Sequence, residues 1–156
     1  MKGFARKQSY PNAGLGVHAG GSSKGDKVYG DLYEPINLGS GSENAGGGAV
    51  HLVVGGDAIL EGLITTHSQK ENSDYCGAPG SIYIKANTIS GEGEILANSN
   101  DLRSSGGRIS LVVTGDNKLA KDRSKLNAQG NVPNTRGGAG TILVKTTAET
   151  YGILYI

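Results

Sequence analysis

The chain has 156 residues, of which 27 are glycine, 4 proline, 1 phenylalanine and none tryptophan. With so few large aromatics, any core must be thin and aliphatic rather than a bulky globular centre. Lysine and arginine number 15 against 14 aspartate and glutamate, a net charge of +1, so no overall field would draw in nucleic acid or an anionic membrane.

Residues 1–45 are the least regular part. Met1 to Lys7 carries basic residues but no apolar run of seven or more, so it is neither a secretory signal nor a membrane anchor. The chain is therefore either cytosolic or cut from a longer protein, and the cut is the expectation adopted here. Tyr151 to Ile156 ends the sequence in an apolar strand without a polar cap.

Residues 46–156 repeat, and with residues 1–45 they are expected to form a single domain. Gly47–Val54, Gly80–Ala86, Gly106–Val113 and Gly138–Lys145 each open with glycine and then alternate apolar with variable residues. From Val50 to Ile82, Ile109 and Ile142 the spacings are 32, 27 and 33 residues, the range in which each repeat is one supersecondary unit stacked on the next. Strand alternation puts Val50, Leu52 and Val54 on one face, with Ile82, Ile84 and Ala86, then Ile109, Leu111 and Val113, then Ile142, Val144 and Thr146. A second short segment is expected around Ile59, Ile89 and Leu119, and a third strand at Ile64–Thr66, Ile95–Ala97 and Leu126–Ala128. Asn117 to Lys125 has a helix-friendly composition that suits a polar corner equally well. Three short strands per turn predict an all-β, right-handed parallel β-helix of about four rungs. Its variable loops, residues 67–76, 98–105 and 129–136, would lie to one side.

The same alternation points His51, Tyr83, Ser110 and Leu143 outward in one column and Val53, Lys85, Val112 and Lys145 in the next. His51, Val53, Tyr83, Lys85, Leu143 and Lys145 thus form a candidate interaction strip, unusually apolar for an exposed sheet. It would contact another protein surface, stack a saccharide on Tyr83, or be covered by loops or by the N-terminal segment.

Signals for catalysis and metal binding are weak. Asp57 and Asp116 follow glycine at equivalent corners, but the intervening repeat has Asn87 there. Glu92 and Glu94 lack counterparts that would complete the paired carboxylates of a glycosidase. His18, His51 and His67 have no zinc-ligand spacing. Gly55-Gly56-Asp57 does not recur as a calcium-binding nonapeptide would. No cofactor is expected, and a structural calcium ion at Asp74 or Asp101 is the one metal option left. Cys76 stands alone, either bonded to a partner or buried as a free thiol. Lys118, Lys121, Arg123 and Lys125, with Asp122 among them, form a local basic stretch that reads as a solvated corner before a polyanion patch.

Tyr29-Gly30-Asp31, Pro35 to Gly41, Gly46 to Leu52, Gly80 to Ile84, Ile89 to Gly93 and Gly106 to Ile109 together resemble the glycine-rich β-helix segment of large extracellular and cell-surface, adhesin-like proteins. The likeness runs from about Ala13 to Lys145. It implies secreted multidomain hosts and a scaffold or adhesion role, and it brings no catalytic residues. The expectation is therefore a non-catalytic structural, adhesive or assembly module of an extracellular or cell-surface protein. Its partners would be other protein chains, neighbouring copies or domains, or glycans, with no nucleic acid and no membrane insertion. The alternative is a carbohydrate-binding or polysaccharide-degrading module.

Overall fold

A computed structural model describes residues 30–41, 45–68, 77–99, 104–130 and 138–156. Ten strands appear in chain order: β1 (Ala49–Val53), β2 (Ala58–Ile59), β3 (Leu63–Thr65), β4 (Ser81–Ala86), β5 (Ile89–Ser90), β6 (Glu94–Leu96), β7 (Arg108–Val113), β8 (Leu126–Asn127), β9 (Thr141–Thr146) and β10 (Ile153–Tyr155). They make three sheets, a five-stranded one in the order β1-β4-β7-β9-β10, a two-stranded one of β2 and β5, and a three-stranded one in the order β3-β6-β8.

The glycine openings and the alternation produce the register of the large sheet. Val50 pairs with Ile82, Ile82 with Ile109 and Ile109 with Ile142, all in parallel. Leu52, Ile84, Leu111 and Val144 align in the same way one pleat further along. Ile82, Ile84, Ile109 and Leu111 are buried in one aliphatic cluster with Ile89, Ile95, Leu119 and Leu126. Ile64, Ile95 and Leu126 are in register in the three-stranded sheet. An Ile or Leu buried in this way contributes about 1.5–3 kcal/mol, which makes the cluster the main stabilising element of a glycine-rich chain.

The right-handed parallel β-helix of about four rungs and three strands per rung is not what the structure shows. β1, β2 and β3 pair one to one with β4, β5 and β6, but the pattern then breaks in two places. After β7 the expected middle strand gives way to two 3-10 turns, Leu119–Lys121 and Arg123–Lys125. The Asn117 carboxamide oxygen accepts from the Ala120 N–H at 3.0 Å, and the Asp122 carboxylate accepts from the Ser124 N–H at 3.1 Å. Such local side-chain bonds offer the backbone an alternative to a sheet ladder. At the end of the chain, β10 turns back and pairs antiparallel with β9. A parallel partner needs a crossover of about a dozen residues or more, and the connection 147–152 is too short for one. Gly152 adopts a φ of +144° in this reversal. The result is one mixed sheet beside two small parallel ones, none of them closed, and strand accounts for only 37% of the described residues.

One smaller expectation also changes. Ile59 does not align with Ile89. Ala58 takes that place, and Ile59 pairs with Ser90 and is exposed. The first corner, 55–57, is one residue longer than its counterpart 87–88, and a shift of one residue turns a strand's faces over. Within residues 151–156, Ile153–Tyr155 form β10, which covers the edge of β9 and is itself the outer strand of the large sheet, with Ile153 and Leu154 exposed. Cys76, Asp74, Asp101 and His18 lie outside the described residues.

Candidate interaction surface

The outward column of the large sheet is built as the alternation requires, with His51 beside Tyr83, Tyr83 beside Ser110 and Ser110 beside Leu143. Its exposure is uneven. His51 is open, whereas Tyr83 and Leu143 retain only 6% and 2% of their surface, and Ser110 is fully buried. In the second column Val53 and Lys85 are exposed and Lys145 is half-buried.

Residues 31–36 lie across this face. The Asp31 carboxylate accepts from the N–H groups of Tyr33 and Glu34, both at 2.7 Å, forming a local turn. That turn brings the Tyr33 carbonyl to the Ser110 hydroxyl, which donates to it at 2.7 Å. Glu34 Oε1 lies 3.4 Å from His51 Nε2, and the Lys145 ammonium lies 5.3 Å from the centre of the Tyr33 ring. The rings of His51 and Tyr83 stand 4.8 Å apart. Sequence reasoning placed the strip but missed Tyr33 and Glu34, because a contact across 77 residues leaves no periodic signal. Tyr33, Glu34, Tyr83, Val112, Lys145 and Thr147 enclose a shallow cleft of about 250 Å³.

Burial, and secondarily the negative charge of Glu34, raises the Tyr83 phenol above its ordinary value. The folded protein therefore favours the neutral phenol. This stabilisation is complete below the ordinary tyrosine pKa of about 10 and is lost as pH rises through the higher folded value. Ultraviolet titration of the folded protein is expected to show a late-ionising phenol that is absent from Tyr83→Phe. A Tyr83→Phe curve superposable on that of the wild type would refute this.

Three of the four acids considered for catalysis are engaged with other groups. Asp57 accepts from the Thr88 hydroxyl at 2.9 Å, Asp116 pairs with Lys121 at 2.9 Å, and Glu92 pairs with Lys125 at 2.6 Å. The Lys121 hydrogen bond holds the Asp116 carboxyl below its usual value, the opposite of what a general acid needs. Among the described residues no three His, Cys, Asp or Glu side chains gather to hold a metal ion, and no helix is long and apolar enough to cross a membrane.

Large exposed apolar side chains concentrate at the two ends of the sheets. β1, β2 and β3 are each the outer strand of their sheet, and they expose Leu52, Val53, Ile59 and Leu63. At the other end Ile153, Leu154 and Ile156 are exposed on and beside β10. Beneath β10 a second cleft, of about 340 Å³, runs between β8, the start of β9 and Tyr155. The Arg123 guanidinium lies 3.1 Å over the Tyr155 ring at its rim. Compared with protein-family models, curated proteins and solved structures, the chain matches none.

Proposed function

We propose that the chain is a non-catalytic structural and assembly module of an extracellular or cell-surface protein, joining other protein chains or neighbouring copies through its open strand edges. The observation that carries this reading is the row Leu52, Val53, Ile59 and Leu63 along the outer strands of all three sheets, with Ile59 72% and Val53 63% exposed. An outer strand offers unpaired peptide groups, and monomeric proteins blunt such edges with charge, proline or a covering element. The first strands carry apolar side chains instead. The extracellular setting rests on the resemblance of the glycine-rich motifs.

Sedimentation over a wide concentration range is the test. The average mass is expected to rise with concentration, and Ile59→Lys with Leu63→Lys is expected to lower it while leaving the melting temperature near that of the wild type. These side chains are exposed, and each such change costs within about 0.5 kcal/mol. A protein that depolymerised a polysaccharide as a monomer, and lost that activity in Asp57→Asn, Glu92→Gln or Asp116→Asn, would replace this reading with the carbohydrate-active one.

The 250 Å³ cleft favours a second reading, a carbohydrate-binding module. It offers the Tyr33 ring as a stacking surface and Glu34 as a hydrogen-bond acceptor beside it. Oligosaccharide binding that Tyr33→Ala abolishes would support it.

A further inference from the structure

We propose that residues 47–66, which end the core at the first strands, are a face on which a second copy of the chain docks about a two-fold axis. The axis runs through Leu52 and Glu61, pairs β1 antiparallel with β1 of the second copy and brings Ile59 against its Leu63. The proposal rests on the assembly reading above and gives it a partner, a symmetry and a register.

Open peptide groups decide where a further strand can add. The N–H groups of Val54, Ala58, Leu60 and Thr66 donate to the carbonyls of Lys85, Thr88, Ser90 and Leu96, toward β4, β5 and β6. Peptide groups alternate along a strand, so those of His51, Val53, Ile59, Leu63 and Thr65 face away from the molecule. None of these five has a main-chain hydrogen-bond partner among the described residues. The Gly47 carbonyl, ahead of β1, is taken by the Gly39 N–H. The opposite end is built differently. There the Leu126 N–H donates to the Arg123 carbonyl, the Ala128 carbonyl accepts from the Gly140 N–H, and β9 is covered by β10. A head-to-tail stack would therefore set three open strands against β10 alone, whereas a copy of the same end offers three.

Geometry makes that end self-complementary. A Cβ on Gly47 would strike the Thr66 carbonyl, so the two ends of this stretch meet. Leu52 and Glu61 divide it almost evenly. Nine residues separate them along the chain, and the other way round five lead back from Leu52 to Gly47 and five lead on from Glu61 to Thr66. A two-fold axis through both reverses β1 onto itself and exchanges β2 with β3. Ile59 and Leu63 lie two residues either side of Glu61, so each meets the other across the axis, twice over, as an isologous contact requires. In β1 the same axis sets Leu52 against Leu52, and His51 against Val53 of the second copy. Leu52 shares the inward register of Ile84, yet it is 39% exposed because β1 is the outer strand. Val50, Val54, Leu60 and Ile64 pack on the core and are only partly buried, and the second copy would cover them. Twenty residues a side is about the lower limit of a standard interface, which sets the affinity near micromolar.

The experiment uses the full chain and three kinds of variant. Sedimentation is expected to show a mass that levels off at two chains. Directly opposed residues at a non-hydrogen-bonded antiparallel position have Cα atoms about 4.5 Å apart, within disulfide range. Oxidised Leu52→Cys is therefore expected to give a covalent dimer whose bridge maps to position 52 on both chains. Val53→Cys is expected not to bridge to itself, since its Cα atoms would stand about 8 Å apart, two residues out of register. Ile59→Lys and Leu63→Glu are each expected to weaken self-association, and their mixture to form a heterodimer at least about tenfold tighter than either homodimer, because Lys and Glu then meet once and Ile and Leu once. Glu61 meets its own copy near the axis, so Glu61→Gln is expected to tighten the dimer about threefold. A bridge at position 53 but not at 52, no gain on mixing, or looser association of Glu61→Gln would overturn the proposal. Mass that climbed past two chains without levelling would also overturn it while the assembly reading stood. A chain that stayed monomeric throughout would end both.

Discussion

Ile109→Asp is expected to leave no folded protein, with loss of the strand signal in circular dichroism and no cooperative thermal transition. Ile109 is 0% exposed and sits mid-strand in β7 between Ile82 and Ile142. The buried members of its cluster are all Ile, Leu, Val or Ala. A carboxylate there would have no partner, and burying an unpaired charge costs several kcal/mol even after relaxation. The lost apolar burial adds about 2 kcal/mol or more. Domains of this size have about 5–15 kcal/mol in all, and a chain this rich in glycine pays a large ordering cost. A soluble Ile109→Asp protein that melted cooperatively would mean that this strand presents its other face to the interior. Ser110→Asp is the companion measurement. Ser110 is buried on the opposite face, under the Tyr33 carbonyl, so its replacement should disturb the covering segment while β7 stays in place.

Gly80→Val is expected to have the second largest effect, a destabilisation of about 3 kcal/mol or more, at the upper end of overpacking costs. Gly80 opens β4 where the chain passes directly beside Gly47 and Gly48, and a Cβ there would fall inside the contact distance of the Gly48 carbonyl. The obstacle is backbone, which cannot rotate away as a side chain can. Relief would require the first and second strands of the large sheet to separate, at the expense of the β1–β4 pairing. Gly106 stands in the same situation against the Ala128 carbonyl. Gly55 provides the control, since a Cβ there meets nothing within 4 Å. Gly55→Ala should therefore change stability by no more than about 0.5 kcal/mol. Denaturant melts of the two variants would decide the matter, and equal midpoints would show that the close approach at Gly80 carries no stabilisation.

Much of the large sheet was legible from residue order alone. Its face is set by a period of two, its starts are marked by glycine, and Val50, Ile82, Ile109 and Ile142 recur at spacings that only parallel stacking satisfies. The three-stranded sheet was legible for the same reason, with Ile64, Ile95 and Leu126 in register. The column of His51, Tyr83, Ser110 and Leu143 was legible as one face of the sheet, because residues between inward positions point the other way, but its exposure was not, since Tyr83, Ser110 and Leu143 are buried there.

What only the tertiary structure decided lies where the period is interrupted or where distant residues meet. One extra residue in the first corner put Ala58 rather than Ile59 opposite Ile89, and composition does not reveal how tightly a corner is wound. Asn117 and Asp122 replaced a strand with two 3-10 turns, since each bonds a nearby N–H that a ladder would otherwise use. A connection too short for a crossover sent β10 back antiparallel, which ended the parallel stacking and opened the cleft beside β8. The segment around Tyr33 covered part of the strip through contacts 77 residues apart in sequence. Local alternation determines which face of a strand is apolar. Which strands become neighbours, and what finally lies over their outer face, depends on loop lengths and long-range contacts that no local pattern encodes.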